Sequence, residues 1–89
     1  MQNDNPQKLI NKILTIYHQN IRSLRNKSTE LLTHLETENL KPNVLCLTEH
    51  HMDQQELLYL SLENYKLGAS FCRQNLQKGG VSIYIRDHH

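Results

Sequence analysis

The sequence predicts an α/β fold, and three observations carry that prediction. Two short apolar segments dense in β-branched residues, Ile13–Gln19 and Val44–Thr48, flank a stretch whose leucines recur at helical spacing. Strand, helix and strand within about 35 residues is the size of a βαβ unit, whose strands run parallel and whose crossover is right-handed. A Lys78-Gly79-Gly80 turn then introduces strict alternation over Val81–Arg86, which reads as the second half of a β-hairpin.

Each element has its own signal. Residues 1–12 are rich in Asn and Gln, carry little apolar content beyond Leu9 and Ile10, and read as a flexible leader. Ile13–Gln19 is near-continuously apolar, which suits a strand buried on both faces. Leu24, Leu31, Leu32 and Leu35 share one helical face with the small Ser28, while Glu30, Thr33 and Thr37 point the other way. Asn26 or Ser28 can cap the start and Asn39 followed by Pro42 signals the stop, so the spacing predicts a helix over Lys27–Asn39. Pro42-Asn43 is a turn, and Val44–Thr48 is a second buried strand, with Cys46 in the core. Residues 54–60 form a short helix or turn. Tyr65–Arg73 is a strand interrupted at Gly68, and Val81–Arg86 returns antiparallel to it with Val81, Ile83 and Ile85 facing inward.

Size and composition narrow the function classes. At 89 residues the chain is one domain at most, and a chain this short buries only about 60–65% of its unfolded surface. Two cysteines with no CxxC spacing make no disulfide framework. Ten basic and nine acidic residues give a net charge of +1, which is no footprint for strong non-specific nucleic-acid binding. The N-terminus lacks the apolar core of a signal peptide and no apolar run approaches the ~20 residues of a membrane span. The expectation is a soluble, intracellular, non-secreted chain with no membrane partner and no small-molecule cofactor.

In a parallel βαβ unit the C-terminal ends of both strands lie at the same edge of the sheet, where ligand sites of open α/β sheets gather. Asn20 and Glu49 stand there. A carboxylate and a carboxamide at strand ends are groups able to reach a divalent cation or a phosphate. Taken alone, Glu49 reads more readily as a surface glutamate at a strand end and Asn20 as a turn residue or cap.

The segments HQNIRSLRNK, PNVLCLTEHH, LENYKLGASFCR and GGVSIYIRD, in this order, resemble the start of the endonuclease domain of non-LTR retrotransposons of the Jockey-like group. That domain belongs to the endonuclease/exonuclease/phosphatase superfamily, and the resemblance spans about Leu14 to Asp87. It implies an incomplete portion of a four-layer α/β sandwich, with residues 13–89 an N-terminal fragment of the domain. It also implies Mg²⁺, DNA as partner, a nuclear site of action, and strand nicking by phosphodiester hydrolysis that primes reverse transcription. By motif, Glu49 matches the family's metal-binding glutamate and Asn20 the asparagine of its metal and phosphate pocket. The catalytic tyrosine, Asp-x-Asn and Ser-Asp-His of the family have no counterparts in these 89 residues, so the catalytic set is incomplete and no cleavage is expected of them alone. The second face of the sheet is expected to be bare and to promote self-association. The competing expectation is a non-catalytic α/β interaction module derived from a retrotransposon copy.

Other polar groups have plainer readings. His50 and His51 are adjacent on an extended loop and point apart, so a polar loop is preferred to a zinc site. Asp87-His88-His89 is read as a solvated end of the strand, not an acid–base pair. Arg22, Arg25 and Lys27 either touch DNA phosphates or solvate the helix entry, the latter preferred for at least two of them. Tyr84 is packed or half-exposed on its strand and is not the family's catalytic tyrosine.

Overall fold

A computed structural model describes residues 14–73 and 78–87. The elements follow in the order β1 (Ile16–Asn20), α1 (Leu24–Thr37), β2 (Val44–Thr48), α2 (Gln54–Tyr59), β3 (Tyr65–Phe71) and β4 (Val81–Arg86). They form a mixed α/β fold with one four-stranded sheet in the order β1-β2-β4-β3. The β1–β2 pair is parallel, as a βαβ unit requires, and β3 with β4 is antiparallel. The hairpin docks through β4, which runs antiparallel to β2. The leader 1–12 lies outside the described residues, as do Ile13, residues 74–77 of the hairpin connection, and His88 and His89.

β1 starts later than the sequence pattern implies because Thr15 turns its polar groups to Asn43. Its N–H and hydroxyl donate to Asn43 Oδ1, and its carbonyl accepts from the N–H groups of Asn43 and Val44. α1 begins three residues before the expected Lys27, and neither Asn26 nor Ser28 caps it. Ser23 N–H instead donates to Glu49 O and Leu24 N–H to His50 O, so the helix entry is held by the loop after β2. At the other end Asn39 adopts φ 55°, with Asn39 N–H bonded to Glu36 O and Leu40 N–H to Leu35 O. That is a Schellman ending, with Asn in the left-handed position where glycine is commoner. α2 is closed by a reciprocal capping box, Asp53 Oδ1 accepting from Glu56 N–H and Glu56 Oε1 from Asp53 N–H.

The core lies between the sheet and the two helices. Leu24, Leu31 and Leu35 of α1 and Leu57 of α2 are buried with Leu45, Leu47 and Tyr84 of the sheet. Tyr65 joins them and donates its hydroxyl to Pro42 O at 2.8 Å. β3 carries a register irregularity between Leu67 and Ala69, at the predicted Gly68 interruption, and ends at Phe71 rather than Arg73.

Three expectations about burial are corrected by the register. β4 turns Ser82 and Tyr84 to the core, while Ile85 is 41% exposed on the opposite face. Alternation identified the strand but not its inward side; pairing Tyr84 with Leu45 and Ser82 with Leu47 sets that side. β1 and β2 are covered on one face only, because both helices pack on the same side. Cys46 is consequently half-buried on the other face, not a core thiol. That open face has rows of Ile16, Val44 and Ile85, of His18, Cys46 and Ile83, and of Thr48, Val81 and Phe71. Ile16 and Phe71 are each 63% exposed there. No helix among the described residues is long and apolar enough to cross a membrane.

Candidate functional site

The C-terminal edge of β1 and β2 is where the backbone departs most from ordinary conformations. Arg22, Ser23, Glu49 and His51 all have positive φ, as do Gly79 and Gly80 beside them. Non-glycine residues hold that region only when their surroundings over-determine it. Here three chain segments are laced together. Ile21 N–H bonds Thr48 O and Ser23 N–H bonds Glu49 O on one flank; Glu49 N–H bonds Gly80 O at 2.6 Å and His51 N–H bonds Gly79 O at 2.9 Å on the other.

On this frame Asn20 Nδ2 donates to Glu49 Oε2 at 2.9 Å. Both predicted site residues are therefore in contact. Glu49 Oε1 faces Arg22 Nε at 4.0 Å and His51 Nε2 at 3.7 Å, and the Glu49 side chain is 42% exposed. A carboxylate with one oxygen on a carboxamide and the other beside two basic groups is a polar, solvent-reachable cluster. The donor set fits a hydrated Mg²⁺, which takes one or two carboxylates and keeps several waters. Among the described residues no group of three or more His, Cys, Asp or Glu is placed to hold a metal.

His50, expected in a polar loop, is fully buried. Its Nδ1 accepts from Met52 N–H at 2.9 Å and its Nε2 bonds Phe71 O at 3.0 Å, so both ring nitrogens are engaged inside the protein. Burial holds the imidazole below its ordinary titration range, with His51 adding to the effect and the Phe71 carbonyl and Glu56 opposing it. A two-histidine zinc site with His51 has no geometry here. Gly80 leaves room for the ring, since a Cβ at that position would run into the imidazole.

The basic residues divide. Arg25 pairs with Glu56 and ties α1 to α2, Arg22 stands beside Glu49, and Lys27 is half-buried on α1. Cys72 lies 3.9 Å from His50 Nε2, and burial followed by the nearby Asp53 pushes its thiol up, away from the reactive thiolate. A groove of about 420 Å³ at the opposite end of the sheet, bounded by Asn39, Tyr65 and Arg86, is remote from Glu49. No protein-family model and no characterised protein sequence matches this chain.

Proposed function

We propose that the chain carries the opening part of a Mg²⁺-dependent DNA endonuclease site of the non-LTR retrotransposon type. The observation that carries this reading is the Asn20–Glu49 contact, at the sheet edge where the two strands of the βαβ unit end. The motif resemblance names the same two residues independently of that geometry. Glu49 would hold the cation through a carboxylate oxygen and Asn20 would orient that carboxylate and line the phosphate pocket. A bound Mg²⁺ would supply charge for a phosphoryl oxygen and a leaving oxygen. Without it, Arg22 and His51 stand beside the Glu49 carboxylate as basic neighbours.

One carboxylate and one carboxamide do not make a general base, a transition-state donor and a leaving-group stabiliser together. The 89 residues alone are therefore expected to leave supercoiled plasmid intact in Mg²⁺. Reading the frame past the codon for His89 tests the wider proposal. If it continues into a Tyr, an Asp-x-Asn and a late Ser-Asp-His, the longer polypeptide should nick DNA. Glu49→Ala should then lower that rate by about two orders of magnitude or more. Nicking by the 89-residue chain that Glu49→Ala abolishes would overturn the expected inactivity.

The open apolar face favours a second reading, a non-catalytic interaction module. It predicts that Glu49→Ala and Asn20→Ala leave folding and partner binding intact.

A further inference from the structure

The chain leaves β2 through two residues of positive φ, Glu49 at 57° and His51 at 59°, with His50 between them. Left-handed backbone is unfavourable for an L residue, so two such residues in three need an anchor. Of these three side chains only His50 turns inward. Its Nδ1 accepts from Met52 N–H, which assigns the ring proton to Nε2 and makes Nε2 the donor to Phe71 O. Its carbonyl accepts from Leu24 N–H at 3.0 Å, and its own N–H reaches Gly80 O at 3.4 Å. The ring fills the space that a Cβ at Gly80 would need. His50 thus joins the start of α1, the end of β3 and the glycine turn, and its two neighbours are left on the solvent side with His51 Nε2 3.7 Å from Glu49 Oε1.

We infer that His50 is the positioning residue of the Glu49 carboxylate: anchored in its Nε2-protonated form, it sets the loop conformation in which Glu49 meets Asn20. Its functional meaning rests on the cation-site reading above, but the geometry can be tested without metal.

The Asn20 side-chain amide resonance of the full chain reports the contact, because Glu49→Ala should displace it. Two variants each keep half of the His50 anchorage. His50→Asn retains an acceptor for Met52 N–H and His50→Gln retains a donor for Phe71 O. The expected result is that both move the Asn20 amide most of the way to its Glu49→Ala position. Cross-strand contacts between Tyr17 and Leu45 and between Leu45 and Tyr84 should persist. An Asn20 amide unmoved in both folded variants overturns the inference, as does one that Glu49→Ala itself fails to displace. Should both variants unfold, long-range ¹⁵N correlation of the unaltered chain decides: an Nε2-protonated ring supports the assignment and an Nδ1-protonated ring overturns it. Mn²⁺ titration is a separate arm. Broadening of the Asn20 amide that Glu49→Gln removes supports the cation site, and the His50 variants should then weaken Mn²⁺ about tenfold or more. No broadening sinks the cation reading while the metal-free arm still judges His50.

Discussion

Asn20 and Glu49 are 29 residues apart in the chain, yet Nδ2 of one lies 2.9 Å from Oε2 of the other. Parallel pairing brings this about: Asn20 stands opposite Thr48, so the residue after Thr48 emerges beside the end of β1. The left-handed turn at Glu49 then keeps its carboxylate at that edge. The amide thus comes from the last residue of β1 and the carboxylate from the first residue after β2, at one edge of the same sheet.

Because the pair is solvent-exposed, it contributes little to folding. Asn20→Ala and Glu49→Gln are expected to change stability by no more than about 0.5 kcal/mol, read by urea denaturation. Asn20→Asp puts a second carboxylate where the amide now faces Glu49 and should tighten Mn²⁺ binding, since hard cations prefer oxygen ligands. A calorimetric titration in which Asn20→Asp binds Mn²⁺ no better than the unaltered chain would count against a cation at this edge.

The open face makes a different prediction. Ile16 and Phe71 lie on the outer strands of the described sheet, each largely exposed and neither part of the buried core. Ile16→Glu with Phe71→Glu should leave the unfolding midpoint nearly unchanged while reducing self-association, because contiguous exposed apolar surface drives it. Sedimentation velocity checks this, and a double variant that associates as strongly as the parent refutes it.

The strands, the two helices and the edge carrying Asn20 and Glu49 were legible because each rests on local periodicity or on the parallel geometry of a βαβ unit. What was not legible depends on contacts distant in sequence. The inward face of β4 follows from its register with β2, and Val81, Ile83 and Ile85 are as suitable for the open face as for a core. The early start of α1 needs the carbonyls of Glu49 and His50 as partners, which no pattern around Ser23 foretells. His50 looked like one of two loop histidines; its burial depends on Phe71 and Gly80, far along the chain.

His50 also gives the fold an acid limit. Burial lowers its affinity for a proton relative to the unfolded chain, whose imidazole titrates near the ordinary value of 6.5. The unfolded state therefore binds the proton first. The stability that His50 contributes is complete above about pH 6.5, falls as pH drops from there toward the lower folded value, and levels off below it. The slope from one such proton is at most about 1.4 kcal/mol per pH unit. Urea midpoints measured from about pH 8 down to pH 5 should show this limb, and a folded His50→Gln variant should lose it. Equal slopes in the two proteins would place the acid sensitivity elsewhere.

Tyr84 sets the opposite limit. It is 1% exposed, and neither its hydroxyl nor that of Ser82 meets hydrogen-bond geometry with a partner among the described residues. Burial raises the phenol above its ordinary value of 10.0, and the nearby Ser82 tempers the rise. Here the sign reverses: the contribution is complete below about pH 10 and is lost as pH climbs through the higher folded value, since the unfolded chain releases its proton first. Tyr84→Phe keeps the ring that packs against Leu45 and Leu47 and removes the unpartnered hydroxyl. An unmade buried hydrogen bond costs about 1–3 kcal/mol, so the variant should be more stable at neutral pH by about 1 kcal/mol. It should also unfold less readily in alkali. A variant destabilised at neutral pH would mean that the hydroxyl has a partner in solution, with a water held between Tyr84 and Ser82 the simplest source.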